Sequence, residues 1–441
     1  MTKNHKIAVI GAGLAGSEAA FFLLKQGFDV SLFEMKPQKF TEAHKLPTFA
    51  ELVCSNSLKS MQEGSPSFML KKEMEELGSI IINNAYKCKV PAGLSLAVDR
   101  VCLSREVTDQ LLSFTNLIIE RKEIISIPEG FDYYIIATGP LTTPAFATHI
   151  SSLIGSDFLY FYDAIAPIID AESIDFTRVF KGSRYNKGGD DFINIPLTEE
   201  QYLSFVNALR GAEKVVLRPF EKEIFYEGCM PIEVMAERGL NTLAYGPMKP
   251  VGFDKEIVGF EPYAVIQLRS EDRENSAYNM VGFQTKLTYK EQERIFRMLP
   301  GLEKAEFLRY GSIHRNTFVD APQVISPFLH LYVNDRIYLA GQITGVEGYV
   351  ESAALGLLAG IFLTARIKQV TLPEFSAKTA LGALLSHLKT SRRPFQPSGI
   401  HYGLFDKSGC KSKKEKKVFI YTQERDSFAQ LKETLKNLSL I

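Results

Sequence analysis

The sequence predicts an α/β protein: a parallel-sheet domain into which a smaller α+β domain is inserted. Two segments of the type strand, glycine turn, helix predict the parallel sheet, one beginning at Ile7 and the other at Ile337. Between them, from about Asp175 to Val324, the chain changes to strand-like runs rich in Tyr and Phe, short helices and its own turns. In a chain of 441 residues, this change of character favours an inserted domain over a continued parallel sheet.

The first segment has the pattern of a dinucleotide-binding turn. Strand Ile7–Ile10 is followed by Gly11-Ala12-Gly13-Leu14-Ala15-Gly16, a helix to Gln26, and strand Val30–Phe33, which ends at Glu34. The first glycine permits the tight turn, the second lets the backbone approach a pyrophosphate, and the third lets helix and strand pack closely. Free N–H groups at the helix N-terminus can bind phosphates, and Glu34 can accept ribose hydroxyls. We therefore predict that these residues bind a dinucleotide.

The second segment narrows the dinucleotide to FAD. Ile337–Gln342 is an apolar strand that ends in glycine and leads through Ile343–Gly348 into an apolar helix, Tyr349–Leu363. The N-terminus of such a helix can direct its positive dipole at the pyrimidine end of a flavin. The run Asp132–Pro140, which ends in Ala-Thr-Gly-Pro, is typical of the strand that leaves an FAD domain, although any buried parallel strand can look like it. The further predicted FAD-binding residues are Gly341, Gln342, Thr344, Gly345 and Gly348.

These observations predict three regions of chain. Residues 1–175 are the first part of a Rossmann-like FAD-binding domain, residues 176–324 are the inserted α+β domain, and residues 325–441 complete the FAD domain and add a helical, Lys-rich tail. The elements expected in the insertion include strands Tyr263–Leu268 and Tyr278–Phe283 and helix Lys290–Met298. The run Lys411–Lys417 is either a solvated loop or a contact for a phosphate backbone.

The composition limits the partners and the location. The 51 basic and 51 acidic residues cancel, so any nucleic-acid contact must come from a local patch. A strand begins almost at the N-terminus, which leaves no room for a signal peptide. The stretch Ala353–Ala365 is too short and too interrupted by glycine to span a bilayer. We expect a cytoplasmic protein with no membrane partner. The five cysteines suit neither a disulfide framework nor a zinc site, so we expect reduced thiols and no metal.

Two cysteines lie in segments that suit a reactive thiol. Cys54 precedes Ser55-Asn56-Ser57, which could cap a helix, and a cysteine at a helix N-terminus is a better nucleophile because its pKa is lowered. Cys229 lies between Gly228 and Met230-Pro231, which suggests a loop or strand end. Each could equally be a buried structural cysteine. Cys88, Cys102 and Cys410 have no such context.

The segments Glu51–Leu58, Glu227–Glu233 and Gly345–Ala353 resemble the folate- and FAD-dependent RNA uracil-5-methyltransferases. The resemblance extends over about residues 6 to 405. A related FAD protein that installs carboxymethylaminomethyl groups on tRNA shares the first turn but not the segments around Cys54 and Cys229. Further matching segments are Val90–Gly93, Ala97–Arg100, Tyr162–Pro167, Gly246–Pro250, Val281–Thr285 and His314–Thr317.

The resemblance implies a role for both cysteines. One thiolate adds to C6 of uracil and makes C5 nucleophilic, and a second group later removes the C5 proton. The one-carbon unit comes from 5,10-methylenetetrahydrofolate, FAD carries it and supplies the hydride, and NADH or NADPH reduces the flavin. We expect Cys229 to be the nucleophile and Cys54 the partner that removes the proton, with the reverse order left open.

The resemblance also implies an RNA partner, with the T-loop uridine of tRNA favoured and a ribosomal RNA uridine possible. The chain departs from the family pattern at Arg184–Gly188, at Phe395–His401 and at Ala43–Lys45, which bears on the RNA target more than on the chemistry. Candidate RNA contacts are Arg210, Lys214, Arg218 and Lys411–Lys417, while Arg309, His314 and Arg315 could bind either the acidic tail of folate or RNA phosphate.

Two other functions fit the same cofactor turn. One is an NAD(P)H-dependent flavin oxidoreductase acting on a small molecule, and the other is an RNA-binding flavoprotein without catalysis. In both of these the cysteines would be structural, so replacing Cys54 or Cys229 by alanine separates them from a methyltransferase.

Overall fold

The computed structural model describes residues 5–186, 189–215, 225, 229–253, 258–389, 395–410, 412 and 415–441. In these ranges the helices are α1 (Leu14–Lys25), α2 (Pro66–Glu76), α3 (Ile80–Lys87), α4 (Arg100–Leu112), α5 (Pro144–Ile154), α6 (Glu199–Arg210), α7 (Ile232–Glu237), α8 (Thr242–Tyr245), α9 (Tyr289–Phe296), α10 (Ala321–Val324), α11 (Tyr349–Ile367), α12 (Ala380–Leu388) and α13 (Lys416–Asn437). Short 3-10 turns lie at Ala171–Ser173, Arg184–Asn186 and Gln342–Thr344.

The strands in the same ranges are β1 (Lys6–Ile10), β2 (Asp29–Phe33), β3 (Ser57–Ser60), β4 (Lys89–Val90), β5 (Ser95–Val98), β6 (Leu117–Glu120), β7 (Tyr133–Ile136), β8 (Leu159–Ile165), β9 (Ile168–Asp170), β10 (Phe180–Lys181), β11 (Phe192–Leu197), β12 (Ala264–Ser270), β13 (Ala277–Met280), β14 (Phe307–Arg309), β15 (Ser312–Phe318) and β16 (Ile337–Leu339).

The first and last parts of the chain share one parallel sheet. Its strand order is β16-β7-β1-β2-β6, and every neighbouring pair is parallel. Strand β1 is buried from Ile7 to Ile10 because helices cover the sheet, which explains its unbroken apolar sequence. The predicted parallel sheet with an inserted α+β unit is confirmed, and residues about 200 positions apart meet in it because β16 pairs with β7, with Ile337 opposite Tyr134.

Helices α1 and α11 pack against each other through glycines. A Cβ on Gly356 would lie 2.1 Å from the backbone oxygen of Ala15, and one on Gly360 would lie 3.0 Å from the ring of Phe22. The apolar helix is 19 residues long with a mean hydropathy of 1.6, and 89% of its most apolar window is buried in the fold. The helix extends beyond the stretch Ala353–Ala365 to Ile367, so by length and composition alone it could cross a membrane, but it is mostly buried inside the fold and its glycines serve packing.

The middle of the chain forms an antiparallel sheet with a core of its own. The strand order is β10-β11-β12-β13-β9-β14, and helices α6 and α9 contribute to a second apolar core that extends from Ile169 to Ala305. The ribbon of β8 and β15 runs from Leu159 opposite Phe318 to Ile165 opposite Ser312, and it leads into and out of this unit. The boundaries 175/176 and 324/325 stay predictions.

Cys88 and Cys102 form a disulfide. Cys88 ends α3 and Cys102 lies in the first turn of α4, where the backbone N–H of Asp99 donates to the carbonyl of Cys88 at 2.9 Å. This bond places the two Cα atoms 5.7 Å apart, a usual separation for a disulfide. The expectation of reduced thiols is therefore wrong for this pair. The other three cysteines, including Cys54 and Cys229, are free thiols in the described structure.

Candidate active site

A deep cleft lies at the carboxyl ends of β1, β2, β7 and β16. This edge of a doubly wound sheet is where such folds bind nucleotides. The predicted residues that line the cleft are Gly11, Gly13, Leu14, Ala15, Glu34, Gly341 and Gln342.

The glycine turn has the geometry that a pyrophosphate requires. A Cβ on Gly11 would lie 2.6 Å from the carbonyl oxygen of Ala137, and one on Gly16 would lie 1.8 Å from the carbonyl oxygen of Gly11. At Gly13, by contrast, no described atom lies within 4 Å of the position of a Cβ. No described side chain caps the N-terminus of α1, so its first N–H groups can bind an anion. The residues present therefore fit a dinucleotide phosphate.

Glu34 stabilises this turn through two hydrogen bonds to backbone N–H groups. Its Oε2 accepts a hydrogen bond from the backbone N–H of Ala12 at 3.0 Å, and its Oε1 accepts one from the N–H of Lys36 at 2.9 Å. Each carboxylate oxygen has a second lone pair, so the side chain can also accept ribose hydroxyls. Ala12 contributes to the turn through this bond.

The closing segment is shaped by glycines with positive φ. Gly341 (φ 82°), Gly345 (φ 93°) and Gly348 (φ 119°) turn the chain from β16 into α11. Thr344 is buried, and its hydroxyl donates to the carbonyl of Gly341 at 2.8 Å. Gly345 packs against Phe395. Thr344, Gly345 and Gly348 thus position the wall and the helix N-terminus, and their contact with the cofactor stays a prediction.

Cys54 and Cys229 lie together, although 175 residues separate them in the sequence. Their sulfur atoms and a carboxylate oxygen of Asp163 all lie within 4.8 Å of one another. The hydroxyl of Tyr349 accepts hydrogen bonds from the backbone N–H groups of Cys54 (2.6 Å) and Ser55 (3.1 Å). Because Tyr349 lines the FAD cleft, this contact joins the cysteine pair to the cofactor site.

Cys54 does not lie at a helix N-terminus. The residues after it enter β3, which pairs with β5 from Ser57 opposite Ala97. The expected helix is therefore wrong, because the backbone of this segment is engaged by a neighbouring strand and by the ammonium of Lys71, which donates to the carbonyls of Leu58 and Ser60 at 2.9 Å.

Arginine side chains supply positive charge at Cys54 instead. Cys54 interacts electrostatically with Arg100, Arg269 and Arg309. Arg100 donates to the carbonyl of Leu52 at 3.1 Å, and Arg269 donates to the side chain of Asn56 at 2.9 Å. These contacts hold the Cys54 loop against the inserted unit.

Cys229 has the opposite electrostatic environment. A hydrogen bond with Cys54, burial, and the carboxyl of Asp163 raise the pKa of the Cys229 thiol well above its usual value. Burial also raises the pKa of Glu347 well above its ordinary value, with a contribution from Asp163.

The other basic candidates are dispersed. Arg210 is exposed at the end of α6, the ammonium of Lys214 pairs with Glu237, and the guanidinium of Arg315 stacks 4.4 Å over the ring of Tyr160. His314 lies 3.5 Å from Glu42 and contacts Ser312. Arg309 alone of this group lies near Cys54. Arg218 and Lys411, Lys413 and Lys414 lie outside the described residues.

Sequence reasoning missed Asp163, Tyr349, Arg100 and Arg269 as parts of the site. The first three lie inside segments that carry the resemblance, and this was the available signal. The sequence offered no such signal for Arg269, because this residue lies in strand β12, whose apolar pattern indicates only a buried element.

The chain is similar to known proteins over most of its length. Residues 6–371 match the family described as glucose inhibited division protein A. The chain is 50% identical over 437 residues, 98% of its length and 92% of the relative, to methylenetetrahydrofolate–tRNA-(uracil-5-)-methyltransferase TrmFO of Nitratidesulfovibrio vulgaris. It is 50% identical over 403 residues, 91% of its length and 92% of the relative, to the protein of the same name from Listeria monocytogenes. A crystal structure of Aquifex aeolicus GidA shares the fold, with a TM-score of 0.71 at 17% identity over 99% of this chain and 74% of that one.

Proposed function

The chain belongs to the glucose inhibited division protein A family and to the methylenetetrahydrofolate–tRNA-(uracil-5-)-methyltransferases, and we propose on this basis that it forms 5-methyluridine in tRNA. The relatives of that name match it over more than nine-tenths of both chains. The observation that carries the proposal from the structure is the cysteine pair beside the FAD cleft, because attack at C6 of uracil and removal of the C5 proton need a nucleophile and a base at one place. The reaction takes place in the cytoplasm, where tRNA is found.

FAD, methylenetetrahydrofolate and NAD(P)H complete the chemistry. Bound FAD would supply the reducing equivalents and would carry the one-carbon unit that the folate donates. Gly13 and the N-terminus of α1 would hold its pyrophosphate, and Glu34 would accept its ribose hydroxyls. Tyr349 lies in the cleft wall and holds the Cys54 loop, so the same side chain orients both halves of the site.

We propose the order of action expected from the sequence. Cys229 adds to C6 of uracil, which makes C5 nucleophilic. Cys54, whose sulfur lies within 4.8 Å of the sulfur of Cys229, removes the C5 proton after the one-carbon unit is attached. Loss of that proton lets Cys229 leave and restores the uracil ring. The reverse order is the alternative that the adduct experiment separates.

The direct test of the function is methyl transfer by the wild-type protein. With methylenetetrahydrofolate and NADPH, a tRNA transcript is expected to gain 5-methyluridine in its T-loop, measured by nucleoside mass spectrometry. Ribosomal RNA in a parallel reaction tests the remaining alternative for the target. A yellow, folded protein that methylates neither RNA contradicts the proposal.

We also propose a basic patch as part of the tRNA contact, formed by Lys407, Lys416 and Lys417. Lys407 and Lys416 both interact electrostatically with His401, and the ammonium of Lys417 lies 5.5 Å from the ring of Tyr402. Lys59 also interacts with His401, but its ammonium is paired with the buried carboxylate of Glu351 at 2.5 Å. Clustered cations beside an aromatic ring suit a phosphate backbone.

The double variant K407E/K417E reverses two charges of the basic patch. It is expected to weaken tRNA binding roughly tenfold. The slope of the logarithm of the binding constant against the logarithm of salt concentration should become shallower by an amount that corresponds to about two phosphate contacts. Filter binding over a salt series measures both. The matched control, K290E with K304E, makes the same charge change at exposed positions of the inserted unit. If the two double variants bind tRNA with equal affinity, the patch is not part of the tRNA contact. That result would not contradict the methyltransferase proposal.

A further inference from the structure

Arg309 is a partly buried arginine that forms no ion pair with a carboxylate of the described residues. It lies at the end of β14, opposite Ile168 of β9. Its guanidinium donates one long hydrogen bond, at 3.5 Å, to the carbonyl of Ala43. A guanidinium has five N–H donors, so most of these have no acceptor in the described part of the chain. A partly buried cation in this state costs free energy, which an anion bound beside it would offset.

The charged neighbours of Arg309 do not neutralise it. It interacts electrostatically with Arg100, whose own charge is paired with the carboxylate of Glu271 at 2.5 Å. The buried Arg269 interacts with both members of that pair. Glu51 also interacts with Arg309, but this carboxylate already forms a buried ion pair with a lysine. Cations therefore outnumber carboxylates in this group, and the excess positive charge suits an anionic ligand.

This positive group lies on the Cys54 side of the cysteine pair. All three arginines interact electrostatically with Cys54, whereas the other charged groups that act on the Cys229 thiol are two carboxyls. Tyr349 joins Arg309 to the reacting groups, because it interacts with Arg309 and its hydroxyl accepts a hydrogen bond from the backbone N–H of Cys54 at 2.6 Å. A base held between the two thiols therefore meets positive charge at the edge that faces Cys54.

The reaction creates a negatively charged oxygen at that edge. When the thiolate of Cys229 bonds to C6 of uracil, the π electrons of C5–C6 shift to C4–C5, and O4 takes the electron pair of the C4–O4 π bond. The pair returns as C5 bonds the one-carbon unit. It moves to O4 again when Cys54 takes the C5 proton, and its second return expels Cys229 as a thiolate. Since C5 faces Cys54 and O4 is attached to the next ring atom, O4 lies toward the arginines.

We propose that Arg309 is a catalytic residue that donates hydrogen bonds to O4 of the target uracil and stabilises the negative charge that develops there. The inference rests on the proposed function and adds a residue to it. A cation directed at an oxygen that gains charge only during the reaction lowers the barrier, because it binds the transition state more tightly than the substrate. Arg100 and Arg269 are held by Glu271 and Asn56, and they add to the positive potential around O4.

The variant R309M tests the proposal because it removes the charge and the N–H donors but keeps most of the apolar stem. We expect the rate of covalent adduct formation with 5-fluorouridine tRNA to fall roughly 10²- to 10³-fold, as for the loss of an oxyanion donor. R309K keeps the charge and should recover part of the rate. The Tm should not fall in R309M, because the side chain lost is an unpaired, partly buried cation. R294M, at an exposed arginine of α9 paired with Glu291, should behave as the wild type.

Two binding measurements separate O4 from the other anions that Arg309 could hold. The affinity for tRNA, with its salt dependence, and the KM for methylenetetrahydrofolate are both expected to be unchanged in R309M. Weaker tRNA binding with a shallower salt dependence would assign Arg309 to an RNA phosphate, and a raised KM for folate would assign it to a folate carboxylate. Either result overturns the inference, as does a wild-type adduct rate or a lowered Tm with loss of FAD. Absence of 5-methyluridine in the wild-type reaction instead contradicts the proposed function.

Discussion

Replacing Cys229 by alanine is expected to abolish 5-methyluridine formation, with a loss on the order of 10⁴-fold or more, while FAD stays bound and reducible by NADPH. The thiolate that activates C5 is absent in this variant. Replacing Cys54 removes the base for C5 and should cost about 10²- to 10⁴-fold.

The adduct with 5-fluorouridine tRNA distinguishes the order of action. If Cys229 is the nucleophile, C229A forms no covalent complex on a denaturing gel and C54A still does. The opposite pattern reverses the order of action. C410A is the matched control, because Cys410 is a free thiol outside the site whose sulfur contacts the carbonyl of Ser412. Full methylation by either active-site variant would indicate that the two cysteines have only a structural role.

Short-range sequence patterns were sufficient to predict the glycine turn at the cofactor cleft. The roles of Gly11, Gly13 and Gly16 follow from spacing within six residues, and the structure places each where a turn, an open approach or a close packing contact requires it. The segment around Gly341 was found for the same reason. Apolar periodicity also located β12, β13 and α9 to within a few residues, since a strand or helix that covers a core must repeat its apolar positions.

The part of the site around Cys54 and Cys229 depends on contacts between segments that are distant in the sequence. Short-range sequence patterns do not encode such contacts. Ser55-Asn56-Ser57 suits a helix cap, yet pairing of β3 with β5 makes it the start of a strand. Cys88 and Cys102 looked unrelated until the bond from Asp99 brought α3 and α4 together. Asp163 reaches Cys229 only because β8 and β15 form the ribbon that leads into the inserted unit. The resemblance indicated which segments matter, but not which side chains meet.

A negative charge at Gly13 is expected to empty the cofactor site without unfolding the protein. A Cβ at this position meets no described atom within 4 Å, and φ is −71°, which any residue adopts. In G13D a carboxylate occupies the space over the N-terminus of α1 that the pyrophosphate needs. Like charges in contact cost several kcal/mol, so FAD affinity should fall by about 10²-fold or more.

Gly16 provides the contrasting case. A Cβ there would lie 1.8 Å from the carbonyl oxygen of Gly11, which is backbone and cannot move aside, so G16V is expected to lose both the fold and FAD. Flavin absorbance per protein and the apo-protein Tm measure the two effects, and G13N separates charge from bulk at the first site. If G13D purifies with a full complement of FAD, the pyrophosphate lies elsewhere. If G16V keeps the Tm of the wild type, the close contact of α1 with the turn is not required for stability. The glycine pattern is then needed only to let the cofactor approach the turn.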